Sequence, residues 1–116
     1  MDREILESVG IDYAEAEERF SGATELFEKF LEELATANVI LPLQKALTSG
    51  DIINAFRVAH TLKGNFGNLS IKSLYKIITP LVEALRSEDM LEAQKLYIEL
   101  EKEYEVVTEG IRKAMK

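Results

Sequence analysis

The sequence contains no cysteine, which excludes disulfide bonds and thiolate metal sites. It also lacks an apolar run long enough to cross a membrane. Its first residues, MDREILESVG, are acidic where a signal peptide would be basic and then apolar. These absences indicate a soluble protein and are compatible with a reducing compartment, so we expect the protein in the cytoplasm. Because the sequence begins at Met1 and has no linker at either end, we also expect a free-standing chain, which we take to be a monomer.

A basic patch is also missing. The chain carries 14 basic and 21 acidic residues, for a net charge of −7. Such a molecule repels nucleic acid and anionic lipid unless cations cluster locally. Here they are scattered among acids, as at Arg3, Arg19, Lys29 and Lys102. We therefore expect no nucleic-acid partner and no membrane partner.

Helical periodicity runs through almost the whole chain. With 116 residues, of which 47% are apolar, the chain has the size and composition of one domain with one core, residues 1–116. Apolar positions recur three or four residues apart, and no segment alternates as a strand would. The pattern predicts an all-α protein: an antiparallel, up-down four-helix bundle with a short additional N-terminal helix.

Turn and capping residues place the helix ends. Four places in the sequence can cap a helix, namely Asp12, the segment 21–24, Gly50-Asp51 and the segment 87–89. The predicted helices cover about 12–20, 24–48, 52–69, 71–87 and 90–114. Pro42 and Pro80 fall inside two of them, and because the apolar stripe resumes after each, we expect kinks rather than loops.

Each long helix has a predicted apolar stripe that faces the shared core. The stripes are Phe27, Phe30, Leu34, Ala37 and Leu41; Ala55, Val58 or Ala59, Leu62, Phe66 and Leu69; Leu74, Ile78, Leu81 and Leu85; and Leu96, Leu100, Tyr104, Val107 and Ile111.

His60 is the single histidine, within AFRVAHTLKGNFGNLS at 55–70. If the stripe that runs from Ala55 to Leu69 faces the core, the helical period places His60 roughly 100–160° around the helix from that stripe, toward solvent. The residues that share this face are unusual for a solvated helix surface, because they include two apolar side chains, two cations and two glycines. They are Ile53, Phe56, Arg57, Lys63, Gly64 and Gly67.

The two glycines are costly to the helix. Each destabilises a helix interior by about 1 kcal/mol relative to alanine, so the pair costs about 2 kcal/mol. One explanation is that Gly64 simply ends the helix, but Phe66 and Leu69 continue the stripe beyond it. The other is that bare backbone gives a partner access to His60.

An exposed imidazole is a nucleophile with a pKa near neutrality, which can accept a phosphoryl group and pass it to a carboxylate. Lys63, one turn further along, could offset the charge of the phosphoryl oxygens. Ile53 and Phe56 could supply apolar contact area. Taken alone, however, a single exposed histidine is also compatible with an inert surface residue.

The segment AHTLKGNFGNLS resembles the signature of histidine-containing phosphotransfer domains, with alanine before the histidine and leucine, lysine and glycine two, three and four residues after it. The likeness extends to GIDYAEAEERFSGATELFEKFLEEL, to Gly50-Asp51 and to RSEDMLEAQKLYIELE, and so to nearly the whole chain. It differs at Asn65 and Phe66, where small residues are usual, at Ser70, where glycine is common, and at Pro80.

The resemblance implies a phosphocarrier without kinase activity of its own and without a bound cofactor or metal. His60 would be the phosphoacceptor, Lys63 the charge partner and Gly64 the position kept bare for docking. The expected docking residues are Ile53, Phe56, Arg57, Gly67 and Asn68. The expected partners are receiver domains of response regulators and of hybrid sensor histidine kinases, which would supply the aspartate and the magnesium.

Three alternatives can be compared with this interpretation, and the residues nearly exclude the second of them. The first is a binding module that docks a receiver or a kinase without accepting phosphate, against which the intact His60, Lys63 and Gly64 argue. The second, a carboxylate-bridged metal enzyme, would need Glu-x-x-His pairs, whereas Arg57 precedes His60 at that spacing. The third, a purely structural oligomeric bundle, leaves the glycine pair unexplained.

Overall fold

Seven helices make up the computed structural model, which describes all of residues 1–116. They are α1 (Arg3–Ser8), α2 (Tyr13–Arg19), α3 (Thr24–Thr36), α4 (Leu41–Ser49), α5 (Ile52–Asn68), α6 (Lys72–Arg86) and α7 (Met90–Ala114). The predicted all-α bundle is confirmed. Helix α6 packs between α5 and α7, α4 packs on α5, and α1 and α3 pack on α7.

Aspartate side chains start four of the helices. Asp12, Asp51 and Asp89 each accept a hydrogen bond from the backbone N–H three residues further on, as predicted. Asp2 does the same for α1, a helix that the periodicity did not predict. Gly50 ends α4 in the left-handed conformation, with φ of 74°, so α4 and α5 meet in the predicted tight turn.

The prediction of one long helix over 24–48 is wrong. The chain leaves helical geometry at Ala37, where ψ is 142°, and α4 begins at Leu41 with Pro42 in its first turn. A proline there needs no hydrogen-bond partner for its nitrogen, whereas in a continuous helix its ring would crowd the carbonyl of Asn38. Pro80 behaves differently, because α6 continues through it.

The side chain of Tyr104 stabilises the break between α3 and α4. Its hydroxyl lies 2.8 Å from both the Leu34 and Ala37 carbonyl oxygens and accepts a bond from the Val39 N–H at 3.2 Å. Burial raises the pKa of Tyr104 above its usual value, and the protonated hydroxyl has one hydrogen to share between these two carbonyls. Backbone groups that would be unpaired at a helix end are thereby satisfied.

One cluster of 30 buried apolar residues forms the core. The stripes predicted on α5 and α6 are confirmed, with Val58 half-buried beside a fully buried Ala59. The stripe on α3 is partly wrong, because Leu31 is buried in the place expected for Phe30, which is 40% exposed. This error follows from the break, since a single helix had to carry the stripe on to Leu41.

The segment between α1 and α2 is tied to the turn between α5 and α6. The Asp12 N–H donates to the Ser70 carbonyl at 2.9 Å, and the Lys72 N–H donates to the Gly10 carbonyl at 2.8 Å. Gly10 has φ of +91°, and a Cβ there would lie 2.5 Å from the Cβ of Ser73. The N-terminal segment therefore holds the turn between α5 and α6 in place, at the C-terminal end of the helix that carries His60.

Candidate functional site

Helix α5 presents His60 to solvent because the opposite face of the helix is in the core. Ala55, Ala59, Leu62 and Phe66 are all buried, with exposures between 0% and 4%. His60 is exposed, as the helical period predicted. The imidazole is therefore accessible to a partner.

Aromatic and cationic groups line up beside the imidazole. The ring centroids of Phe56 and His60 are 5.9 Å apart, with a tilt of 31° between the planes. The guanidinium carbon of Arg86, on α6, lies 5.1 Å from the Phe56 centroid. Phe56, predicted as a docking residue, thus also supports one flank of His60 and is half-buried.

Lys63 lies one turn further along α5 than His60 and points toward α6. Its Nζ atom is 5.9 Å from the centroid of the Tyr75 ring. The ion pairs of the protein involve the N-terminal amine, Arg3, Arg19, Lys72 and Arg86, and none includes Lys63. The Lys63 charge is therefore available to an incoming anion.

The two glycines of this face differ in their surroundings. A Cβ at Gly64 would meet no atom within 4 Å, so the backbone there is open. A Cβ at Gly67 would lie 3.2 Å from Cε2 of Tyr75. The bare backbone at Gly67 is therefore covered by a ring of the same chain, whereas that at Gly64 is open to a partner.

A groove of about 510 Å³ opens beside His60. It is lined by Arg19, His60, Lys63, Gly64, Phe66, Gly67, Asn68, Ser70, Ile71, Lys72 and Tyr75. The lining contains three cations and no acid, in a protein with a net charge of −7. The groove is thus suited to an anionic group or to an acidic partner surface.

Glu15 holds two of these cations at the edge of the groove. Its carboxylate lies 2.7 Å from Lys72 Nζ and 3.0 Å from Arg19 Nε, and it accepts a bond from the Ser70 hydroxyl at 3.0 Å. Lys72, Arg19 and Ser70, in that order, lower the pKa of Glu15 to about 2.

Ser70 has the left-handed conformation, with φ of 55°, which a glycine adopts more easily than a serine does. Here a serine is accommodated, and its hydroxyl is bonded to Glu15.

The remaining predicted docking residues flank the histidine along α5. Ile53 is 73% exposed, which makes it the most exposed large apolar residue of α5, and Arg57 is exposed on the same side. Asn68 is exposed at the other end, where it lines both the histidine groove and an adjoining apolar groove of about 790 Å³.

Three residues of the groove are not predicted from the sequence, namely Arg19, Lys72 and Tyr75. No local signal could have found them, because they come from α2 and α6 and reach the groove only through packing.

Two further properties bear on chemistry. No group of three or more histidine, cysteine, aspartate or glutamate side chains is arranged to hold a metal ion. None of the seven helices combines the length and apolar character needed to span a membrane.

Comparison with protein-family models gives a match to the Hpt domain over residues 25–110. The match includes His60, Lys63 and Gly64 and excludes α1 and α2. Searches of curated proteins and of solved structures find no match. Hpt domains serve phosphorelays as histidine phosphotransfer modules that interact with receiver domains, and they are phosphocarriers rather than kinases. The family match and the all-α bundle together confirm the resemblance seen in the sequence, and the chain belongs to the Hpt domain family.

Proposed function

We propose that this chain is a phosphorelay intermediate that carries a phosphoryl group on His60. The observation that carries the proposal is an exposed imidazole, beside an unpaired Lys63 and an open Gly64, within the segment that matches the family. The donor is the phosphorylated aspartate of a receiver domain, or a kinase, and the acceptor is the aspartate of a response-regulator receiver.

The transfer needs only a nucleophile from this chain. The unprotonated ring nitrogen of His60 attacks phosphorus, the N–P bond forms, and the bond from phosphorus to the donor carboxylate breaks, so the aspartate leaves as a carboxylate. The reverse sequence delivers the group to the next receiver. The Lys63 ammonium offsets the negative charge of the phosphoryl oxygens. We propose that the receiver supplies the magnesium ion and that this chain binds no cofactor.

The docking surface follows the exposed side of α5. Ile53 and Phe56 offer apolar contact area on the N-terminal side of His60, with Arg57 beside them as a cation. Asn68 and the cations of the groove lie on the C-terminal side. Gly64 lets the receiver's active site approach the imidazole, because no atom covers it. We propose that the chain works as a monomer in the cytoplasm, where such receivers operate.

The direct test is phosphorylation by a phosphorylated receiver. We expect the wild-type protein to gain an acid-labile, alkali-stable phosphate and the His60→Gln variant to gain none, with helical circular dichroism unchanged in both. Lys76→Ala, which removes an exposed lysine of α6 outside the groove, is the matched surface control and should be labelled normally. Label that persists in His60→Gln would refute the assignment.

A second arm separates transfer from docking. Gly64→Gln should weaken receiver binding far more than it affects folding, because its side chain would project into open space at the partner's approach. Unimpaired transfer in this variant would refute the access role of Gly64. A wild-type protein that binds a receiver tightly but never becomes labelled would instead be the binding module without phosphate.

A further inference from the structure

Tyr75 contacts two residues of the site, Gly67 and Lys63, which lie on α5. Tyr75 belongs to the first half of α6, is 38% exposed as a residue, and covers the bare backbone of Gly67 on α5. The same ring lies 5.9 Å from the Lys63 ammonium. Gly67, Tyr75 and Lys63 all line the groove that contains His60.

The Tyr75 ring is the partner that the structure gives to the Lys63 charge. Lys63 forms no ion pair, and no acid lines the groove. A cation within about 6 Å of an aromatic centroid is attracted by the negative face of the ring. A lysine side chain without any partner would sample many rotamers and would lose that freedom when it is later fixed.

The glycine at 67 lets the ring take this place. A Cβ at that position would come within 3.2 Å of Cε2 and 3.4 Å of Cδ2 of Tyr75, close enough to push the ring outward. At Gly64, by contrast, a Cβ would touch nothing. The two glycines therefore have different roles. Gly64 leaves room for a partner, and Gly67 leaves room for the Tyr75 ring.

We propose that Tyr75 is a positioning residue for phosphotransfer, whose ring holds the Lys63 ammonium at the groove beside His60 before the phosphoryl group arrives. This inference rests on the proposed function of His60. The side chain of Lys63 stays packed on the ring while its ammonium meets the phosphoryl oxygens, so the contact with Tyr75 is kept in the transition state and the lysine needs no further ordering there.

The kinetic test compares Tyr75→Leu with Tyr75→Phe. Leucine removes the ring, and we expect phosphorylation by a phosphorylated receiver to slow about two- to fivefold, the range that corresponds to an exposed cation–π contact. Phenylalanine keeps the ring face, so it should preserve the wild-type rate. A Tyr75→Leu protein that is phosphorylated as fast as wild type, or a Tyr75→Phe protein as slow as Tyr75→Leu, would overturn the proposal.

A double variant separates positioning from structural support. In a Lys63→Ala background no ammonium remains to be positioned, so adding Tyr75→Leu should slow transfer no further. If Tyr75→Leu slows transfer by the same factor in both backgrounds, Tyr75 acts through the fold and the proposal is wrong.

An NMR measurement on the unphosphorylated protein tests the contact without any transfer. The Lys63 ε-methylene protons should show a ring-current shift that is retained in Tyr75→Phe and lost in Tyr75→Leu; absence of that shift in wild type would overturn the proposal. Failure of the proposed function would give a different pattern. The wild-type protein would then show the ring-current shift of the Lys63 protons but would gain no phosphate label.

Discussion

Two stretches of the same polypeptide, the outward face of α5 and the turn that follows it, are held in different ways. On the face, His60 and Lys63 contact the rings of Phe56 and Tyr75. At the turn, the Ser70 backbone and side chain are both hydrogen-bonded to the N-terminal segment, and Lys72 is paired with Glu15. The weak contacts leave the His60 and Lys63 side chains free to move, while the hydrogen bonds at the turn hold the C-terminal end of α5 in place.

The largest expected effect contrasts the two faces of α5. Phe66 is completely buried, so Phe66→Ala should lower the free energy of unfolding by about 3–5 kcal/mol through lost packing and a cavity. His60→Ala removes an exposed ring and should change it by no more than about 0.5 kcal/mol. Urea denaturation followed by circular dichroism measures both, and a comparable loss in the two variants would contradict the division of α5 into a core face and a free face.

The next effect concerns the turn after α5. Ser70 is 1% exposed and its hydroxyl donates to a carboxylate, so Ser70→Ala should lower stability by about 1.5–3 kcal/mol. Ser70→Gly loses the same hydrogen bond but relieves the left-handed strain at φ of 55°, so it should lose less. Equal losses in the two variants in thermal denaturation would show that the backbone conformation stores no strain here.

Glu15 makes the stability of this turn depend on pH. Its pKa falls from 4.5 to about 2 on folding, so the ionised carboxylate stabilises the folded state above pH 4.5, and this contribution is lost as the pH falls toward 2. Glu15→Gln should therefore be less stable than wild type at pH 7, and the two proteins should converge between pH 4.5 and pH 2. A stability difference that stays constant over this range would mean that the charge of Glu15 contributes nothing.

The smallest expected difference lies between the two glycines. Gly64→Ala should raise stability by up to about 1 kcal/mol, because alanine favours the helix and its Cβ meets no atom. Gly67→Ala should gain less, because its Cβ presses on the Tyr75 ring at 3.2 Å. Chemical denaturation of both variants side by side measures the difference, and an equal gain would mean that the ring yields without cost.

Local periodicity was sufficient for much of the molecule. The stripe on α5 repeats at the helical period without interruption, so both its buried face and the outward direction of His60 could be predicted. The aspartate caps are equally local, since Asp12, Asp51 and Asp89 bond to backbone only three residues away. The open backbone at Gly64 follows from the same face.

The errors came where the outcome depends on distant partners. The break before Pro42 is stabilised by Tyr104, whose hydroxyl bonds to a residue 70 positions earlier, and no pattern within 24–48 contains that information. The short helix α1 was missed because six residues give too little periodicity, whereas its place against α7 supplies its stability.

By itself, the sequence determined an all-α chain, the face on which His60 lies and, through the motif around it, the family. Tertiary structure alone decided which groups from other helices line the groove of that histidine, namely Tyr75 and Lys72 from α6 and Arg19 from α2. The physical reason is range. A helix repeats every 3.6 residues, so neighbours on one face can be counted along the chain, whereas contacts between helices depend on how the whole core packs them together.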